Sequence, residues 1–170
     1  MVNTGVFLDI LEEVRNRIDT ASIGIPSANI QIGVKEEIIK NDKTPYIAIY
    51  PGDPFITEQF GRIDGRYQQK SAVVRLTLFV SYQVANKDAV NQLYATTGGQ
   101  GSGWLYFIQT LLDVIHTNTS GSLDPRLAGK SELAPPVEVK NIEYHSGRII
   151  CQIDLAYETP AFTINNRRKI

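Results

Sequence analysis

Apolar residues return at two different rhythms along this chain. Phe7, Ile10, Leu11, Val14 and Ile18 recur at steps of three and four, the spacing that lines one side of a helix. The stripe predicts a helix capped by Asn3 or Thr4, with Glu13 and Arg17 at i,i+4 on its wet face. It should end between Asp19 and Ser22, before Gly24 and Pro26. From Ala72 to Val84 the rhythm is two. Ala72, Val74, Leu76, Leu78, Val80, Tyr82 and Val84 alternate with a set that includes Arg75, Thr77, Ser81 and Gln83. Ile149, Cys151, Ile153, Leu155 and Tyr157 repeat the pattern near the end. A two-residue period turns one face of a strand to a core and leaves the other mixed or wet, as in antiparallel sheets.

Weaker signals fill in the rest. Val137–Tyr144 reads as a strand joined to the last one through His145-Ser146-Gly147, a hairpin connection. Its apolar phase slips between Val139 and Ile142, which predicts a bulge near Lys140-Asn141. Tyr46–Tyr50 reads as a short strand closed by Pro51-Gly52, and a short helix is expected from Asn86 or Asp88 to Tyr94. Trp104, Leu105, Phe107, Ile108, Leu111, Leu112 and Ile115 form an apolar band on a helix reaching His116. One sheet face alone cannot cover so wide a band, so part of it is expected to meet the first helix or another subunit, with Trp104 as a candidate contact.

Three segments read as excursions from the core. Residues 55–70 are polar, and Asp64-Gly65 between Ile63 and Tyr67 is a tight-turn signal, so the segment predicts a hairpin arm. Residues 118–136, rich in Ser, Gly and Pro, predict a long loop, and 163–170 a short basic tail. The whole predicts one α+β domain over residues 1–170: a mainly antiparallel sheet packed by two or three helices, with a projecting β-hairpin arm.

Composition narrows the function without naming it. Lys and Arg number 17 against 18 Asp and Glu, so no global basic field invites nucleic acid. Cys151 is the single cysteine, which excludes an internal disulfide and Cys-rich zinc sites. Met1-Val2-Asn3-Thr4-Gly5 lacks the basic-then-apolar opening of a signal peptide, and no run nears the length of a membrane span. A reducing cytoplasm is therefore the expected setting.

Candidate chemistry is sparse. Gly98-Gly99-Gln100-Gly101-Ser102-Gly103 precedes a helix, but no Gly-Lys-Ser/Thr completes a P-loop, and the run reads as a flexible connection between helices. His116 falls at a helix end and His145 in a hairpin turn, neither at metal-ligand or triad spacing. Cys151 lies on the core face of its strand, where a thiol is inert. Glu12-Glu13 and Glu36-Glu37 are ordinary carboxylate pairs. Asp154 points away from the core, as a wet-face charge or toward a partner subunit. Arg62, Arg66 and Lys70 surround Tyr67 at the arm tip, but Glu58 and Asp64 dilute the charge, so protein contact is favoured over nucleic acid. No catalytic, cofactor or metal site is expected. The candidate assembly contacts are Arg62, Asp64, Arg66, Tyr67, Trp104 and Asp154.

The order of elements, with Thr44-Pro45-Tyr46-Ile47, Arg66-Tyr67, Val74-Arg75-Leu76-Thr77-Leu78 and Ala156-Tyr157-Glu158, resembles the phage tail terminator (tail-completion) proteins over roughly Phe7 to Phe162. The resemblance lies in layout rather than in a diagnostic motif. It implies a non-enzymatic virion subunit at the tail–head junction, assembled in the host cytoplasm. Its copies would form a ring, expected to be a hexamer, that stops growth of the tail tube. The tail tube protein and the head–tail connector protein are the implied partners. Another head–tail connector or neck protein is the alternative, and an enzyme of unrecognised type is the alternative of a different class.

Overall fold

The computed structural model describes residues 6–33, 45–83, 96–97, 100–101, 103–116, 131–145 and 147–160. Within them the stripe becomes helix α1 (Val6–Thr20), with Ile10, Leu11, Val14 and Ile18 buried. The caps expected at Asn3 or Thr4 lie outside the described residues. The helix ends where Ser22 and Gly24 take positive φ values of 53° and 88°, a left-handed turn that no helix can continue through. Arg17 is not on a wet face. Its guanidinium donates to the Ile115 carbonyl at 3.4 Å, at the far end of the second helix, where a cation meets the negative pole of the helix dipole.

The sheet has five strands in the order β1-β2-β3-β7-β6. β1 (Ile30–Ile32) runs parallel to β2 (Tyr46–Ile63), pairing with Ile47–Ile49; every other neighbour is antiparallel. β3 spans Arg66–Gln83, β6 Glu132–His145 and β7 Arg148–Pro160. The chain is therefore α+β, with a mainly antiparallel sheet carrying its helices on one face. β1 has no counterpart among the sequence expectations. It is held by Ile30, fully buried, and by a 2.8 Å hydrogen bond that the Arg15 side chain donates to the Ile30 carbonyl.

The even residues of β3 and the odd residues of β7 meet across the ladder, Leu78 opposite Ile153 and Val80 opposite Cys151, and face the helices. Helix α2 (Trp104–His116) covers them with Phe107, Ile108, Leu111 and Ile115. Leu105 and Leu112 pack on the same core. The wide apolar band is thus taken up inside the subunit, against the sheet and α1. Ahead of α2, β4 (Thr96–Thr97) pairs antiparallel with β5 (Gln100–Gly101), so part of the Gly-rich run is strand. The helix expected at residues 86–94 and the tail at 163–170 lie outside the described residues.

Two boundaries move. β2 does not stop at Pro51-Gly52: it bulges between Pro51 and Ile56, then pairs again with β3 to the hairpin tip. Gly52 is needed inside that bulge because a Cβ there would stand 2.9 Å from Cβ of Arg75. The long loop expected at 118–136 gives way to strand at Glu132, and residues 117–130 lie outside the described residues. The bulge expected near Lys140-Asn141 is present, with a register shift between Lys140 and Glu143 and φ of 54° at Asn141.

The sheet face away from the helices is not simply wet. Tyr46, Ala48, Phe79 and Ile150 form a second buried cluster, with the Tyr50 ring stacked on Phe79 at 5.1 Å between centroids. Val73, Thr77 and Ser81 are buried on this face as well. A sheet face this apolar across its three central strands is stabilised by its own cross-strand pairs.

Candidate functional site

The hairpin of β2 and β3 outruns the other described strands of the sheet. Among the described residues β7 pairs with β3 only as far as Ser71, whereas β2 and β3 stay paired from Gln59–Ser71 out to Ile63–Arg66. The chain reverses at Asp64 and Gly65, with φ of 52° and 76°. Two consecutive left-handed residues define the type I′ turn, whose twist matches that of the flanking strands, and Asp-Gly supplies both conformations at small cost. Asp64 thus acts at the tip through its backbone. At the other end Phe55 and Ile56 pack on the core, and Phe55 meets the Phe7 ring edge-on at 6.3 Å. The base of the arm is therefore part of the core, and the projecting part starts beyond it.

Cross-strand partners share a side of the hairpin, so Arg62 and Tyr67 stand together, as do Phe60 and Gln69. The Arg62 guanidinium lies 5.7 Å from the Tyr67 ring centroid, an exposed cation–π pair worth about 0.5–1 kcal/mol. Tyr67 is 77% exposed and Phe60 60%. Arg66 pairs with Ile63 and lies on the opposite side, so the tip carries positive charge on both of its faces. Phe60 escaped the sequence reading, although its position two residues before Arg62 puts it on the same side.

The structure brings together Arg62, Asp64, Arg66 and Tyr67 but places the other two candidates elsewhere. Trp104 opens α2 and is buried in the subunit's own core, not on an outer surface. Asp154 is on the sheet face away from the helices. It accepts a hydrogen bond from Thr77 at 3.0 Å and pairs with Lys140 at 2.5 Å. Beside it Gln152 donates to the Tyr50 hydroxyl at 2.9 Å and accepts from Asn141, the bulge residue. Burial raises the Tyr50 phenol above its ordinary value, opposed by the hydrogen bond from Gln152. Asp154 raises the Lys140 ammonium. This network ties β6 to β7 and β2 across the sheet.

Among the described strands the outer edge of the sheet beyond β7 is β6, interrupted by Pro135-Pro136 and by the Asn141 bulge. Past the bulge Ile142 and Tyr144 are 56% and 54% exposed. Their spacing of two was visible in the sequence, but not that β6 would be an edge.

The described histidine side chain, His116, is exposed at the end of α2, and His145 ends β6. Among the described residues no group of three or more His, Cys, Asp or Glu is placed to hold a metal ion, and no helix is long and apolar enough to cross a membrane. Cys151 is fully buried. Burial pushes its thiol up to about 12, with the indole of Trp104 acting in the other direction. Burial likewise raises the Tyr157 phenol to about 12, against the pull of the Arg17 charge.

Both raised values have the same consequence for folding. Each group stays protonated in both states until the pH nears its unfolded value, about 8.5 for a thiol and about 10 for a phenol, and up to that point its contribution is constant. Above it the unfolded chain loses protons that the folded chain keeps, so stability falls by about 1.4 kcal/mol per pH unit for each group until the folded value is passed. The Tyr157 hydroxyl is buried with no hydrogen-bond partner among the described residues, so Tyr157→Phe is expected to cost little at neutral pH. The variant should also lose less stability than the parent between pH 10 and 12. Urea midpoints measured across that range check this, and parallel alkaline slopes would show that Tyr157 ionises as readily folded as unfolded.

No protein-family model matches the chain, and no curated protein matches it.

Proposed function

We propose that this chain is a structural subunit of a phage tail, whose copies form a ring that caps the tail tube, stops its polymerisation and offers the surface to which the head joins. The observation that carries the reading is the projecting arm. A subunit that already buries its helices and the apolar face of its sheet extends a hairpin whose exposed tip presents Phe60, Arg62, Arg66 and Tyr67. A two-stranded hairpin is marginal on its own, and exposed aromatic and Arg side chains are the groups that carry binding energy at protein interfaces.

A ring also needs two different surfaces on each subunit, because a head-to-tail contact that closes generates cyclic symmetry. The arm and the β6 edge stand at different places on one sheet and meet that requirement. In this reading the protein works by contact, without a catalytic residue or cofactor. Its partners are its own copies (six in the ring the family layout implies), the tail tube protein and the head–tail connector protein. Its place is the tail–head junction of the virion, after assembly in the host cytoplasm.

Native mass spectrometry of the purified chain is expected to show a closed oligomer of one defined size. Adding it to polymerising tail tubes should hold their length. A monomer at tens of micromolar that leaves tube growth unchanged would end this reading.

A further inference from the structure

We propose that the arm of one copy docks on the outer edge of β6 of the next copy, an inference that rests on the ring reading and names the contact that builds it. Four observations lead there. First, the sheet has two unequal open edges. β1 covers β2 only at Ile47–Ile49, so among the described strands the outer side of β2 from Tyr50 to Ile63 has no neighbour, and the outer side of β6 has none either. The two edges belong to different strands, so joining one to the other is a head-to-tail contact, which repeats around a ring.

Second, the arm tip and β6 are complementary in charge, whereas the lower part of the open β2 edge, with Asp53 and Glu58, is not part of this match. Residues 60–70 hold Arg62, Arg66 and Lys70 against Asp64, three positive charges to one negative; β6 holds Glu132, Glu138 and Glu143 against Lys140, three negative to one positive. Lys140 is itself engaged by Asp154. Opposite fields of this kind steer association and reject like-charged partners. Two β6 edges repel each other, as do two arms, so the pairing that remains is arm to edge.

Third, each side carries apolar groups that water covers in the single subunit: Phe60 and Tyr67 on the arm, Ile142 and Tyr144 on β6. Such side chains can supply the dry centre of a contact whose charges form the rim.

Fourth, β6 is built against indiscriminate pairing. Pro135 and Pro136 bring no backbone N–H to the edge, and the Asn141 bulge breaks its register. Only Glu138–Lys140 offers a regular stretch between these interruptions. A passing strand cannot zip along such an edge, so the partner must be selected by side chains, as a charged and aromatic arm tip would be.

The test is a charge exchange in the full chain, read by native mass spectrometry and light scattering at fixed salt. Arg62→Glu with Arg66→Glu, and separately Glu132→Lys with Glu138→Lys, are each expected to weaken ring assembly about tenfold or more, since each sets like charges face to face. Combining the four changes restores opposite charges and should recover assembly to within a few-fold of the parent. Assembly of the parent should also loosen as salt rises. All four residues are exposed, so melting temperatures should stay close to the parent's. As a check that needs no variant, amide exchange at Glu138–Lys140 should slow in the ring relative to the dilute monomer.

If the combined variant assembles no better than either pair alone, the arm and β6 do not meet. If both pairs assemble as tightly as the parent, the ring stands but its contact lies elsewhere. If the parent never assembles and leaves tube growth unchanged, the ring reading itself falls and this contact falls with it.

Discussion

Leu78→Ala and Ile153→Ala are each expected to lower the stability of the subunit by about 2–5 kcal/mol. The two residues are direct partners across the β3–β7 ladder, both fully buried, on the face that meets the helices. Truncating either removes apolar area from the middle of the core and leaves a hole that the paired strands cannot close. Their neighbours on the opposite face should behave differently. Thr77→Ala removes a hydroxyl that donates to Asp154, and Asp154→Ala removes the acceptor together with the ion pair to Lys140. A hydrogen bond of this kind contributes about 1 kcal/mol, and a partly exposed ion pair less. Equilibrium unfolding in urea on a monomeric form separates the two cases. Equal losses on both faces would mean that the strands pack through the wrong side.

Shortening the arm is expected to leave the fold nearly untouched and to abolish its use. Gly61 pairs with Gln68, so replacing Arg62–Tyr67 by Asn-Gly keeps the register and supplies a two-residue turn. Phe55 and Ile56, which belong to the core, remain. The melting temperature should change by only a few degrees, because the removed residues project beyond the sheet's other described strands. Ring assembly should weaken by about thirtyfold or more, the equivalent of losing one interface hot spot of about 2 kcal/mol. Electron microscopy should then show tails of uncontrolled length, or tails not joined to heads. A much lower melting temperature would make the tip part of the core. Normal particles would show that it is not the contact element.

The elements legible in advance are those whose signal is local. The α1 stripe, the alternation of β3 and β7, the Asp64-Gly65 turn and the phase slip at Asn141 each lie within a few residues, and backbone geometry converts such patterns into structure with little help from elsewhere. The arm tip was legible for the same reason, since a tight turn between two short polar runs needs no distant partner. β1 was not: Ile30-Gln31-Ile32 shows a single alternation, and its status as a strand depends on β2 lying alongside. Nor was the continuation of β2 through Pro51-Gly52, where an irregular stretch is carried by pairing with β3 on both sides of it.

Burial followed the same division. Phe79 stands among the odd positions of β3, where a simple alternation expects polar residues; its environment was decided by Tyr46, Ala48, Tyr50 and Ile150 on neighbouring strands. Arg17 and Trp104 carry the features of a wet-face charge and a contact residue. Arg17 turned inward because α2 ends beside it, and Trp104 because α2 packs on the sheet. By itself, then, the sequence determined α1, α2, the long alternating strands and the turn at the arm tip, and which side of β3 and β7 would face a core. Only the tertiary structure decided which strands became edges, which residues meet on the second face and which exposed groups stand together. Those outcomes depend on residues far apart in the chain, and a short-range pattern holds no information about who its distant neighbours will be.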